Sequence, residues 1–396
     1  FIFNITAVPA IAENTGIKAE NPQVAGAAVL LMDLKSGQIL FERNPHNQLA
    51  IASITKIMTA IVALENGDLD SVVTIGPDIL DRKKIYGTLL FLSPGEKFTL
   101  RQLLDALLMN SANDAAAAIA ESIGGSEDNF IKMMNQKAAD LGLSDTHFTN
   151  PHGLSEIGHY SSAYDMAIIA RYGLQKPVLA EIVKTKYAKF PRSEQGLLPD
   201  SLQNQNKLLW QYDGADGVKT GYTDQAGNTI VASATRNDRQ LLVVILKGTS
   251  GTAVCEDAAT LLDYGFEQFH NKLLASKNQV INSVNLENAQ ILNLSSSADI
   301  YGTIKNDQNG QDFQLRAVSR NIKLPVKAGD ELGRVDVYFQ GKIVQTVPLV
   351  AQNSLSKTEY IFYLPLGGVL LSGLIVFKES RRSARRFRSK RIWYRQ

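Results

Sequence analysis

Residues Ile51–Ala60 read IASITKIMTA. Apolar side chains fall at Ile54, Ile57, Met58, Ile61 and Val62, the i, i+3, i+4, i+7, i+8 spacing of a helix that buries one face. Ser53 opens this helix and Lys56 follows one turn later, so their side chains are neighbours beside the apolar stripe. Alone, the pair has an ordinary explanation in which Ser53 caps the helix and Lys56 reaches solvent. The alternative is a reactive pair, and that choice carries the fold with it.

Working outward, AAVLLMD and QILFER flank the turn LKSG upstream and read as a β-hairpin between Ala27 and Arg43. The Ser53 helix is expected to end near Gly67. Thr99 to Ile123 reads as two helical segments interrupted around Asn110-Ser111, and Glu127 to Leu141 as a further helix stopped at Gly142. The loop-rich THFTNPHGLSEIGHYSSAYD leads into a helix from Ala163 to Tyr172. NTIVASATR and QLLVVILKG, joined by Asn237-Asp238-Arg239, form a second hairpin, and a helix from Val254 to Phe269 closes the unit. The pattern implies an α+β domain over 25–269: an antiparallel sheet made from both ends of the segment, flanked by helices, with a mostly helical insertion. From 271 to 350, short alternating runs (LLASKNQV, DFQLRAV, RVDVYF, KIVQTVPLV) predict a small all-β domain, and 351–360 reads as a linker.

The ends carry topology. FIFNITAVPAIAEN has an apolar stretch followed by Ala10-Ile11-Ala12, the small-x-small pattern of a signal-peptide cleavage site, so 1–12 reads as a signal remnant. Ile361–Phe377 is uncharged throughout, which suits a short transmembrane helix better than a buried C-terminal one. Nine of the 41 Lys/Arg and one of the 39 Asp/Glu lie in the tail 378–396, leaving 32 basic and 38 acidic residues elsewhere. A basic flank marks the cytoplasmic side of a span, and a mildly acidic body argues against a nucleic-acid partner. The expected topology is a single-pass membrane protein with its body extracytoplasmic and its tail cytoplasmic. The one cysteine, Cys255, forms no internal disulfide and is expected to be a small core residue.

Three motifs then fall in chain order: Ser53-Ile54-Thr55-Lys56 opening a helix, Ser111-Ala112-Asn113 between helices, and Lys219-Thr220-Gly221 ahead of a strand. S-x-x-K, S-x-N and K-T-G in this order are the motif set of β-lactamases and penicillin-binding proteins. The residue types suit acyl transfer. A serine hydroxyl needs a base, and Lys56 serves if burial and a nearby charge, that of Lys219, keep it neutral. Ser111 is placed to relay a proton to the leaving amine, and Asn113 to hold both Lys56 and a substrate amide. The Ser53 N–H at a helix start and the Tyr222 N–H are the expected oxyanion donors. Gly221 lets substrate approach the strand edge, and Lys219 with Thr220 offers a cation and a hydroxyl to a terminal carboxylate.

The chain resembles the membrane-tethered D-alanyl-D-alanine carboxypeptidases, the low-molecular-mass penicillin-binding proteins, over Ala25 to Phe269. Beyond the three motifs the likeness includes SANDAA, FTNPHGL, HYSSAYDMA, DGVKTGYTDQAGNTIVASA and LLDYGF. The resemblance implies a β-lactamase/transpeptidase-like fold, a serine acyl-enzyme, a peptidoglycan pentapeptide substrate, covalent inhibition by β-lactam antibiotics such as penicillin, and no cofactor. A β domain and C-terminal anchor also match that layout. One residue departs: the family often carries an arginine shortly before the final helix, and Thr252 stands there instead.

Other readings compete, a DD-endopeptidase with the same serine chemistry among them. A class A β-lactamase shares the serine and both lysines but adds an E-x-x-L-N glutamate for deacylation, which the sequence lacks. A catalytically silent cell-wall-binding scaffold would not need Ser53, Lys56, Ser111, Asn113, Lys219 and Thr220 together. His147, His152 and His159 cluster without a metal-ligand spacing, so no metal is expected, and the resemblance suggests that His159 and Asp165 brace the loop.

Overall fold

A computed structural model describes residues 21–356 apart from 82, 84, 193–199, 287–289, 309 and 311. The expected signal remnant, transmembrane helix and basic tail lie outside the described residues, among which no helix is long and apolar enough to cross a membrane.

The chain begins with β1 (Ala28–Asp33) and β2 (Ile39–Arg43), then α1 (Lys56–Asn66), β3 (Val72–Thr74) and β4 (Lys97–Thr99). Helices α2 (Leu100–Asp105), α3 (Asn113–Gly124), α4 (Glu127–Asp140), α5 (Ala163–Leu174) and α6 (Pro177–Lys184) follow, with β5 (Tyr187–Lys189), β6 (Ser201–Gln203) and the short α7 (Leu208–Gln211). The domain closes with β7 (Ala215–Thr223), β8 (Gly227–Arg236), β9 (Arg239–Gly248) and α8 (Gly251–Gln268).

Five strands form one antiparallel sheet in the order β2-β1-β9-β8-β7, so the N-terminal hairpin joins strands from the far end of the domain. Its central strands bury both faces, which explains their near-continuous apolar sequences. In β1 and β9, Leu30 and Val244 pack with the helical insertion, while Leu31 and Val243 pack against α8. β7 forms an outer edge and is the strand nearest the turn that carries Ser53.

The second domain contains β10 (Phe269–Ala275), β11 (Val280–Asn285), β12 (Ile291–Ser296), β13 (Ile300–Lys305), β14 (Phe313–Ser319), β15 (Glu331–Phe339) and β16 (Lys342–Ala351). β10 pairs with β13, and the other five form a sheet in the order β11-β12-β16-β15-β14. Leu292, Leu294, Val335, Val337 and Leu349 fill its core. This domain is fastened to the β1–β2 turn by buried polar contacts: Ser36 Oγ lies 2.6 Å from Thr303 Oγ1, and Gln38 Nε2 donates to Thr303 O at 3.1 Å.

Three local details differ from the sequence reading. Lys219-Thr220-Gly221 lies inside β7 rather than ahead of a strand. LLASKNQV is not one strand, because β10 ends at Ala275 and β11 begins at Val280. The three-residue strand pairs β3–β4 and β5–β6 are too short to show an alternation.

Candidate active site

The Ser53 helix starts differently from a capped α-helix. Ala52–Thr55 is a 3₁₀ turn that runs into α1, and no side chain caps either start. Ser53 is therefore free of the capping role and faces the cleft, while Lys56 is completely buried one turn on. Lys56 Nζ has three oxygen neighbours: Ser53 Oγ at 2.9 Å, Asn113 Oδ1 at 2.7 Å and the His152 carbonyl at 2.7 Å. Burial, reinforced by the charge of Lys219 and opposed by that of Asp114, holds Lys56 well below the ordinary lysine value. A neutral amine keeps two N–H donors and one lone pair. Asn113 Oδ1 and His152 O accept only, so they take the donors, and Ser53 is the one neighbour with a proton to give. The geometry aims the Lys56 lone pair at the nucleophile.

The loop 149–156 is built to present main-chain carbonyls to α1. His152 O meets Lys56, and Pro151 O accepts from Thr59 Oγ1 at 2.6 Å. Gly153 has φ +87°, and a Cβ there would stand 2.0 Å from Ala52 O, so only glycine lets the loop touch the Ser53 turn. Asn150 Oδ1 fixes that turn by accepting from Gly153 N at 2.7 Å. His159 braces the motif from behind. Thr149 N donates to His159 Nδ1 at 3.1 Å, which leaves the ring proton on Nε2 to reach Thr55 Oγ1 at 2.8 Å. Burial drops His159 to about 4 and His152 to about 3, so both rings are neutral at physiological pH. Asp165 accepts from Asp145 N and Thr146 Oγ1 at the loop's base. Among the described residues no cluster of His, Cys, Asp or Glu is arranged to hold a metal ion.

The second motif depends on a break in helical geometry. Residues Ala106–Asn110 form a π-turn that ends in Ser111 at φ 67°, and α3 then starts at Asn113. Asn113 presents Oδ1 to Lys56, while its Nδ2 donates to Tyr86 O and keeps one further N–H for a substrate. The buried Asp114 accepts from the amides of Leu90 and Leu92 at 3.2 and 3.1 Å, pinning the loop that passes over the site. Arg192 holds the same loop through the carbonyls of Leu90 and Phe91 and a paired contact with Glu96. Neither Asp114 nor Arg192 is legible as a site residue from motif spacing.

On the opposite wall, a Cβ at Gly221 would stand 2.7 Å from Ser53 N, so the nucleophile's amide adjoins the main chain of Gly221 and Tyr222. Thr229 Oγ1 donates to Ile51 O and Gly221 O, tying strand to turn. Tyr222 turns its ring to solvent, where the hydroxyl donates to Asp224. Lys219 is 2 % exposed, donates to Thr220 O at 3.0 Å and is lowered to about 7 by burial. Its charge bears on Lys56 from behind the cleft wall.

The cleft between these walls encloses about 610 Å³ and is lined by Ser53, Ser111, Asn113, Thr220, Gly221 and Tyr222. These residues, all expected to touch substrate, are therefore in one place, with Lys56 and Lys219 buried behind them. Thr252 also lines the cleft, as does Cys255, whose thiol is raised by burial. The cysteine is a buried core residue as expected, packed with Val254 and Ala258, and it also touches the cleft wall.

Comparison with known proteins agrees with this geometry. Residues 15–250 match the D-alanyl-D-alanine carboxypeptidase family, and residues 269–357 match the C-terminal domain of penicillin-binding protein 5. The D-alanyl-D-alanine carboxypeptidase DacF of Bacillus subtilis is 33% identical over 361 residues, covering 90% of this chain and 92% of that protein. Penicillin-binding protein 5 of Haemophilus influenzae superposes with a TM-score of 0.70 at 29% identity, over 86% of this chain and 100% of that one. The Streptomyces K15 DD-transpeptidase reaches 0.60 at 33% identity, over 63% of this chain and 100% of that one. With its transpeptidase-like α+β fold, its all-β C-terminal domain and its assembled serine–lysine site, the chain belongs to the D-alanyl-D-alanine carboxypeptidase family.

Proposed function

We propose that this protein removes the terminal D-alanine from peptidoglycan stem peptides ending in D-Ala-D-Ala. The observation that carries this reading is the buried Lys56, whose only proton-bearing oxygen neighbour among the described residues is Ser53, 2.9 Å away. Lys56 takes the Ser53 proton as Oγ bonds to the penultimate carbonyl carbon. The Ser53 and Tyr222 amides receive the oxyanion. Collapse breaks the C–N bond, and D-alanine leaves with a proton delivered through Ser111. Water then releases the shortened peptide. A β-lactam follows the same first step, but its amine stays tethered, so the adduct persists. The test measures D-alanine released from a D-Ala-D-Ala pentapeptide and an L-Ala-terminated analogue, with the benzylpenicillin adduct mapped by peptide mass. Release from the first alone and one adduct on Ser53 are expected; an adduct elsewhere, or none, refutes the serine mechanism.

We further infer that Ile361–Phe377 anchors the chain in a bacterial cell membrane with the catalytic domain outside. The uncharged run and the nine basic residues after it support this. Full-length protein is expected in the membrane fraction, with the tail cut only when protease reaches the cytoplasmic side. Recovery of the full-length chain from the soluble fraction without detergent would overturn it.

A further inference from the structure

We propose that Lys207 supplies a further cation that docks the carboxylate at the leaving-group end of the cleft. This extends the carboxypeptidase reading by assigning its carboxylate recognition to a residue outside the three motifs. Lys207 is the only charged residue among the described residues that line the cleft, and no acidic residue faces it there. Its side chain is exposed and has no ion-pair or hydrogen-bond partner among the described residues.

Its position follows from two asparagines. Asn204 Nδ2 donates to the carbonyls of Val183 and Thr185, and Asn206 Nδ2 donates to Gly217 O at 2.8 Å on β7. Between them, Gln205 N donates to Met109 O, inside the π-turn that leads to Ser111. The segment 204–207 therefore bridges the start of β7 and the Ser111 turn. That is the side toward which the leaving amine departs if Ser111 protonates it. Lys207 also lies within electrostatic reach of Cys255, which lines the cleft with Thr252. Thr220 and Thr252 add hydroxyls to the same cleft lining.

Lys219 sits behind the cleft wall by comparison. It does not line the cleft and donates to Thr220 O, so Lys207 adds a cation that substrate can meet directly. A carboxylate needs a cation that can be reached from water, and Lys207 is exposed at the cleft.

The experiment compares Lys207→Met and Lys207→Arg with the parent protein. Benzylpenicillin and its methyl ester present the same reactive carbonyl with and without a free carboxylate. The acylation-rate ratio of acid to ester is expected to fall about tenfold in Lys207→Met, the usual worth of a hydrogen bond to a charged group, and to recover in Lys207→Arg. With a D-Ala-D-Ala peptide the same loss should appear mainly in KM. An unchanged acid-to-ester ratio in Lys207→Met overturns the proposal, as does a loss confined to kcat. The penicillin pair reads the cation directly, so it decides even if no D-alanine is released from any peptide.

Discussion

Replacing Lys56 with arginine is expected to abolish acylation while keeping a positive charge at the position. A guanidinium stays protonated at every accessible pH and offers no lone pair to Ser53. The expected loss in benzylpenicillin acylation rate is at least ~10²–10⁴-fold, the share that general-base catalysis supplies. Three oxygens crowd Lys56 Nζ within 2.9 Å, so the larger head group also strains its surroundings. A thermal melt therefore accompanies the kinetics, and Lys56→Met, which removes the base without adding bulk, is expected to show the same kinetic loss. Near-parental acylation in either variant would reduce Lys56 to an electrostatic role and require another base.

Gly153→Ala is expected to damage both stability and activity. The added Cβ would stand 2.0 Å from Ala52 O and 2.8 Å from Thr55 Oγ1, at a φ of +87° that an alanine resists. Either the loop or the Ser53 turn must shift. A cost of ~3 kcal/mol or more is expected, lowering Tm by roughly 6–12 °C for a domain of this size. Because the adjoining His152 carbonyl holds Lys56, the shift also reaches the base. A displacement of about 1 Å at a catalytic group costs on the order of a hundredfold in rate. Gly158→Ala is the control: its φ is +85°, but the nearest atom to an added Cβ is 3.7 Å away. That variant should lose about 1 kcal/mol and retain its acylation rate. Equal damage in both variants would mean that backbone strain, not the contact with the Ser53 turn, makes Gly153 necessary.

The reactive pair is legible in the sequence because its chemistry is local. Ser53 and Lys56 are one turn apart, and the helical stripe beside them fixes which way the turn faces. The hairpin of β8 and β9 is equally legible, since two long apolar strands meet at Asn237-Asp238. What supports the pair is not. Lys56 is oriented by a carbonyl of His152, and a main-chain carbonyl leaves no mark on residue type. Arg192 and Glu96 are 96 residues apart and meet only after folding. Lys207 is visible as a charge, but its place at the cleft depends on Asn206 reaching Gly217. Lys219 reads as a carboxylate's cation from its type and motif; its burial, and with it its influence on Lys56, is something a motif does not disclose.

The π-turn at Ala106–Asn110 makes the site sensitive to a kind of change that leaves every motif in place. Such a turn holds one residue more than an α-helical turn, and each residue rotates a helix by about 100°. Deleting a single residue there would let α2 continue in regular register and swing Ser111 away from Ser53. The buried leucines of α2 precede the break, but Ala106–Met109 within it are buried as well, so the deletion would also disturb the core. A descendant with one codon fewer would still carry S-x-x-K, S-x-N and K-T-G and still be recognised by sequence, yet lack its proton relay. Insertions and deletions between Asp105 and Ser111, rather than substitutions, are where an active lineage would give rise to a silent one.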